Sequence, residues 1–122
     1  MNPIFFHTTQ WDNLPVTEHR GTSGVARWRT LQFDTFRVRM VEYSQGYEAD
    51  HWCRAGHVLF CLEGEMESQL ADGRSFRLEK GMSYQVSDNV SLHRTVSKTG
   101  VKLFIVDGNF LSHKPQHNAW RM

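Results

Sequence analysis

The sequence predicts an all-β domain, a sandwich or barrel of short antiparallel strands. Gly46, Gly56, Gly64, Gly73 and Gly81 are separated by 10, 8, 9 and 8 residues, the rhythm of strands joined by turns. The segments between turns alternate or run apolar over strand lengths, as in Phe33–Tyr43 and Val58–Leu62. Between residues 33 and 107 no run repeats at helical spacing.

Each element follows in order. Residues 1–24 hold Trp11, Pro15, Gly21 and Gly24, which predicts loop with one or two short strands. Gly24–Thr30 reads as a strand with Val25, Arg27 and Arg29 on one face. In Phe33–Tyr43 one face carries Phe36, Val38 and Met40 and the other Arg37 and Arg39. Val58–Leu62 reads as a strand buried on both faces. Asp72-Gly73 between Met66–Ala71 and Ser75–Leu78 marks a hairpin. Met82–Val86, Ser91–Val96 and Val101–Val106 complete the series, with Thr99-Gly100 as a turn. The expected barrel core is residues 33–107, with an N-terminal extension over 1–32 and an irregular tail over 108–122.

A chain of 122 residues supports one domain and one core. Its formal net charge of +1 lacks the basic footprint that nucleic acid demands. No apolar run reaches the length that spans a bilayer. The N-terminus lacks the charged segment and apolar stretch of a signal peptide. Two cysteines, Cys53 and Cys61, do not make a disulfide framework. A reduced, cytoplasmic protein is the expectation.

The chemistry concentrates between Gly46 and His57. His51, Cys53 and His57 place three metal-ligating side chains within seven residues, and His93 follows downstream. On an extended strand His51 and Cys53 share a face, and Gly56 gives the chain freedom to bend before His57. Each residue also has a plainer reading. The histidines serve equally as strand-end and loop residues, and Cys53 as a small apolar wall residue. Cys61 belongs to the apolar run and to the core.

The stretch Gly46, His51-Trp52-Cys53, His57, Gly64 resembles the first motif of the cupin family of small β-barrels, and Gly81 to His93 resembles the second. The Asp50-His51-Trp52-Cys53 string is similar to a largely uncharacterised cupin group named for its D-H-C-W residues. The chain departs from the family pattern at Cys53, where histidine is usual, and at His57, where glutamate is usual. Ser87 and Asn89 replace the proline and glycine of the second motif. Position by position, the resemblance implies a ligand set of His51, Cys53, His57 and His93. Three nitrogens and one sulfur suit Zn²⁺, with Fe²⁺, Ni²⁺ or Cu²⁺ as alternatives. It further implies a jelly-roll barrel, a small-molecule ligand and a homodimer.

Two classes of function fit. In one, a metal at the barrel mouth acts on a small molecule, with Tyr84 as a nearby proton donor. In the other, the barrel binds or senses a metal or ligand without turnover. A barrel without metal is the third alternative. Asp50 either orients an imidazole or serves at the surface. Trp52 is expected to pack between sheets or at a subunit contact. The pairs Arg27/Arg29 and Arg37/Arg39 either grip an anion or form a solvated face balanced by acids. His113 and His117 flank Pro115 and are assigned to the tail.

Overall fold

A computed structural model describes residues 2–114 of the chain. Nine strands form the described part: β1 (Thr17–Arg20), β2 (Val25–Gln32), β3 (Phe36–Tyr43), β4 (Tyr47–Glu48), β5 (His57–Leu70), β6 (Ser75–Glu79), β7 (Ser83–Val86), β8 (His93–Ser97) and β9 (Val101–Gly108). Every pairing among them is antiparallel. The order runs β1-β2-β3-β9-β5-β8-β4, with β6 and β7 also paired to β5. Strands β1 and β2 lie in the segment expected as the N-terminal extension, so the sheet begins well before residue 33.

The fold turns on β5, which belongs to two sheets. Its first half pairs with β7 and β9, and its second half with β6 and β8. A register shift between Cys61 and Glu63 separates the halves. It also switches which residues face inward. His57, Leu59 and Cys61 are buried before it, and Met66 and Ser68 after it, because one extra residue inverts the two-residue alternation. Gly64 closes this irregularity at φ +80°, where a β-carbon would stand 2.3 Å from the Gly100 carbonyl oxygen, a place no side chain fits. The Asp72-Gly73 turn joins β5 to β6 as expected, with Gly73 at φ +98° and its N–H donating to the Leu70 carbonyl.

Val41, Leu59, Cys61, Met66, Leu78, Val101, Leu103 and Ile105 form the core. Cys61 is fully buried there, as expected. The run Val58–Leu62, expected to be buried on both faces, is buried on one: Val58 and Phe60 remain about two-fifths exposed. A barrel wall has only one dry face, so alternation resumes. Strand β3 shows the converse. Its arginine face, with Arg37, Arg39, Val41 and Tyr43, is the inward one, and Arg39 is buried. The barrel interior is therefore partly polar.

Candidate metal centre

Three donors meet beside a cavity inside the barrel. His57 opens β5, His93 opens β8, and Cys53 sits in the loop between β4 and β5. A reciprocal backbone bridge draws Cys53 to His93: the Cys53 N–H donates to the His93 carbonyl at 2.7 Å, and the His93 N–H to the Cys53 carbonyl at 3.1 Å. The loop then runs hard against the end of β7. A β-carbon on Gly56 would stand 2.4 Å from the Val86 carbonyl oxygen, and the Gly56 N–H donates to Asp88 at 2.6 Å. Glycine is thus required at 56 for space, and its φ lies outside the left-handed range. The result places ligand atoms of Cys53, His57 and His93 within 4.8 Å of one another.

Hydrogen bonds set which nitrogen of each imidazole faces inward. His93 Nδ1 lies 2.8 Å from the Ser91 carbonyl, which can only accept, so Nδ1 carries the proton. His57 Nδ1 lies 2.8 Å from Asp107 Oδ2 and donates to that carboxylate. Both Nε2 atoms are left to the interior. That of His93 is buried without a partner among the described residues, and that of His57 faces Cys53 Sγ at 3.8 Å. A buried lone pair without a partner is costly. The donor set fits a metal ion: two imidazole nitrogens and a thiol sulfur converge, each imidazole anchored from behind by an acceptor.

Asp107 anchors more than His57. Arg37 Nε and Arg39 Nη2 both reach its carboxylate at 2.7 Å. Burial works against the Asp107 anion, but the hydrogen bonds from His57 and Arg37 and the charges of Arg39 and Arg37 outweigh it. Its carboxyl is held well below the usual carboxylate range. Burial likewise opposes charge on His57 and Cys53. Their mutual contact, with Asp107 behind the ring, prevails, raising the imidazole and lowering the thiol. Both shifts favour the charged form of each group at the point where a cation would bind.

His51 stands apart from this group. Its side chain is 75 % exposed, and its Nδ1 meets Asp50 Oδ1 at 2.6 Å. The expected sharing of a face with Cys53 required a strand. Strand β4 ends at Glu48 and the only pairing before His57 is the bridge at Cys53, so period-two geometry does not apply. The expected four-donor set is three donors here, with His51 at the cavity rim. Trp52, expected between sheets or at a contact, is 42 % exposed with the Arg94 guanidinium 5.0 Å above its ring. Tyr84 lies inward opposite Leu59, its ring 6.0 Å from that of His93 and 6.5 Å from that of His57. Burial pushes its hydroxyl far above the usual tyrosine range, so it stays protonated. Arg27 pairs with Glu18 at the surface, as a solvated face would. The His113 carbonyl accepts from Asn89, and His117 lies outside the described residues.

Sequence reading missed Asp107. Val101, Leu103, Ile105 and Asp107 form one inward stripe on β9, and an acid ending an apolar stripe opposite two arginines is the signal that would have found it. The cavity itself measures ≈ 380 Å³ and is walled by Trp28, Tyr43, Tyr47, Tyr84, Leu59 and Ile105.

No family model matches the chain, and no curated protein matches it. Solved structures do. An RmlC-like cupin from Shewanella frigidimarina superposes with a TM-score of 0.68 at 20 % identity, over 90 % of this chain and 95 % of the other. The polyketide cyclase RemF from Streptomyces resistomycificus gives 0.73 at 18 % identity, over 91 % and 83 %. FeII HppE gives 0.68 at 18 % identity, over 84 % of this chain and 60 % of its own. At these identities the likeness is one of architecture, and the strand order, the β5 crossover and these superpositions together show that this chain has the cupin fold.

Proposed function

We propose that this protein is a mononuclear metal enzyme acting on a small molecule in the barrel cavity, with Cys53, His57 and His93 as the metal ligands. The observation that carries the reading is the buried Nε2 of His93, which has no partner and belongs to the same close cluster of ligand atoms as His57 Nε2 and Cys53 Sγ. A set of three protein donors is what catalytic sites keep, whereas structural zinc sites close with four. The retreat of His51 to the rim therefore favours catalysis over storage. The adjoining cavity gives a substrate somewhere to lie.

A thiolate with two imidazoles suits Zn²⁺ best, with Fe²⁺, Ni²⁺ or Cu²⁺ as alternatives; Fe²⁺ gains support from the iron form of HppE. Bound there, the metal supplies Lewis-acid or redox chemistry. The chain supplies the rest. Asp107 fixes the His57 ring and its tautomer, the Ser91 carbonyl does so for His93, and Tyr84 donates a proton rather than accepting one. The protein is further read as cytoplasmic and as a homodimer joined through the exposed Val58 and Phe60 face. Among the described residues no helix is long and apolar enough to cross a membrane.

Elemental analysis of purified wild type, Cys53→Ser, His57→Ala and His93→Ala tests the site. One transition-metal ion per wild-type chain, lost in His57→Ala and His93→Ala, is the expected result. His51→Ala should keep its metal. Equal, negligible metal in wild type and variants would end the reading.

A further inference from the structure

Three buried side-chain nitrogens lack a hydrogen-bond partner among the described residues: His93 Nε2, Arg39 Nε and Trp28 Nε1. All three residues line the same ≈ 380 Å³ cavity. The first is accounted for by the metal reading. The other two are donors, and they are neighbours, since the Arg39 guanidinium lies 4.4 Å from the Trp28 ring centroid. Two buried N–H groups without acceptors, on side chains stacked against each other, describe a corner suited to an oxygen-bearing ligand.

The charge balance says what kind of oxygen. Arg37 and Arg39 share one carboxylate, Asp107, and its Oδ2 also takes the His57 N–H. Two guanidinium charges against one carboxylate leave a surplus positive charge at the cavity wall, where Arg37 is 34 % and Arg39 4 % exposed. A carboxylate shared between two arginines compensates neither in full. The acid in the cavity lining, Asp50, is already engaged by His51 at the rim. Rings from Trp28, Tyr43, Tyr47 and Tyr84 supply flat apolar walls for the rest of a ligand.

We propose that the cavity binds a small carboxylate with a flat apolar body, its acid group accepting from Arg39 and the Trp28 indole and its body reaching toward Cys53, His57 and His93. This rests on the metal reading only for the direction in which the body points. The acid corner is built from β2, β3 and β9 and is complete without a metal. A surplus of positive charge and two unpartnered donors match an acid group, which compensates the arginines and offers both N–H groups an acceptor.

Calorimetric titration of metal-free and Zn²⁺-loaded protein with benzoate, its neutral isostere benzamide, and inorganic phosphate tests this. The Trp28 indole N–H resonance, assigned with Trp28→Phe, gives a second readout. Benzoate should bind both forms and shift that resonance, while benzamide, without the charge-assisted bond, and phosphate, without the apolar body, bind at least about tenfold more weakly. Arg39→Gln should weaken benzoate by about tenfold or more. Trp28→Phe leaves the ion pairs intact, keeps the test valid if Arg39→Gln fails to fold, and should weaken benzoate severalfold. Equal binding of benzoate and benzamide, equal binding of phosphate, or no shift of the indole resonance would overturn the proposal. Benzoate binding by a protein that takes up no metal would sink the metal reading alone; metal uptake without benzoate binding would sink this one alone.

Discussion

Asp107 reaches three basic side chains at once, and removing its charge tests both fold and site. Asp107→Asn leaves Arg37 and Arg39 without a counter-charge and offers His57 a neutral amide. Denaturant titration should show a loss of about 3–5 kcal/mol, the usual result of orphaning a buried charge. Competition with a chelator should show metal affinity lower by about 10–100-fold, as for loss of a ligand-orienting carboxylate. Unchanged affinity would remove Asp107 from the site. The same residue sets an acid limit. Its folded value lies below its unfolded one, so its contribution is complete above the unfolded carboxylate range, near pH ~4, and is lost as pH falls below that. Stability of the metal-free protein should fall steeply below pH ~4, and more gently in Asp107→Asn. His57 works in the opposite sense. Its value is raised on folding, so its contribution is full at low pH and fades as pH rises through the folded value. Metal loading needs the Cys53 thiol and the ligating imidazole nitrogens free of protons. Metal affinity should therefore drop as the solution is acidified, a trend that chelator competition across pH 5–8 would reveal.

At the scale of elements, the site depends on how the loop between β4 and β5 is tied down. It is held by the Cys53–His93 bridge and by the packing of Gly56 against the β7 end. Gly56→Ala puts a methyl group where the Val86 carbonyl oxygen and the Asp88 amide already stand. Backbone on both sides cannot yield as a side chain would, so the loop must lift. We expect a lower melting temperature and reduced metal content, with Cys53 displaced most. A fully loaded, equally stable Gly56→Ala protein would show that the loop has slack. The sequence made Gly56 conspicuous through its place in the glycine rhythm, yet pointed to the wrong cause. Conformational freedom is a local property that a residue type suggests, whereas close approach depends on a strand 30 residues away. His51 failed for a related reason. The alternation argument was sound for a strand, but nothing pairs with residues 50–52 to make one.

The whole molecule presents an apolar outer face where β5 meets β9. Val58 and Phe60 pair with Val106 and Phe104, and Trp11 meets Phe104 edge to face at 6.2 Å. If a second copy caps this face, sedimentation should give a dimer for wild type and a monomer for Phe60→Glu at micromolar concentration. The variant should retain its metal, since Phe60 points away from the barrel interior. A wild-type monomer would refute the pairing without touching the site.

The sequence by itself determined the fold class, most strand positions and the Asp72-Gly73 hairpin, and its four candidate donors included the three that gather. Those follow from turn chemistry and two-residue alternation, which are local and survive in the primary structure. What only the tertiary structure decided was which face of each strand is inside. The arginine face of β3 reads as solvated from its charges alone. Only closure of the barrel brings it opposite Asp107 on β9, where ion pairing makes burial of Arg39 affordable. The same closure sent His51 outward and paired Cys53 with His93, because burial and partnership are properties of the closed barrel and not of any single segment.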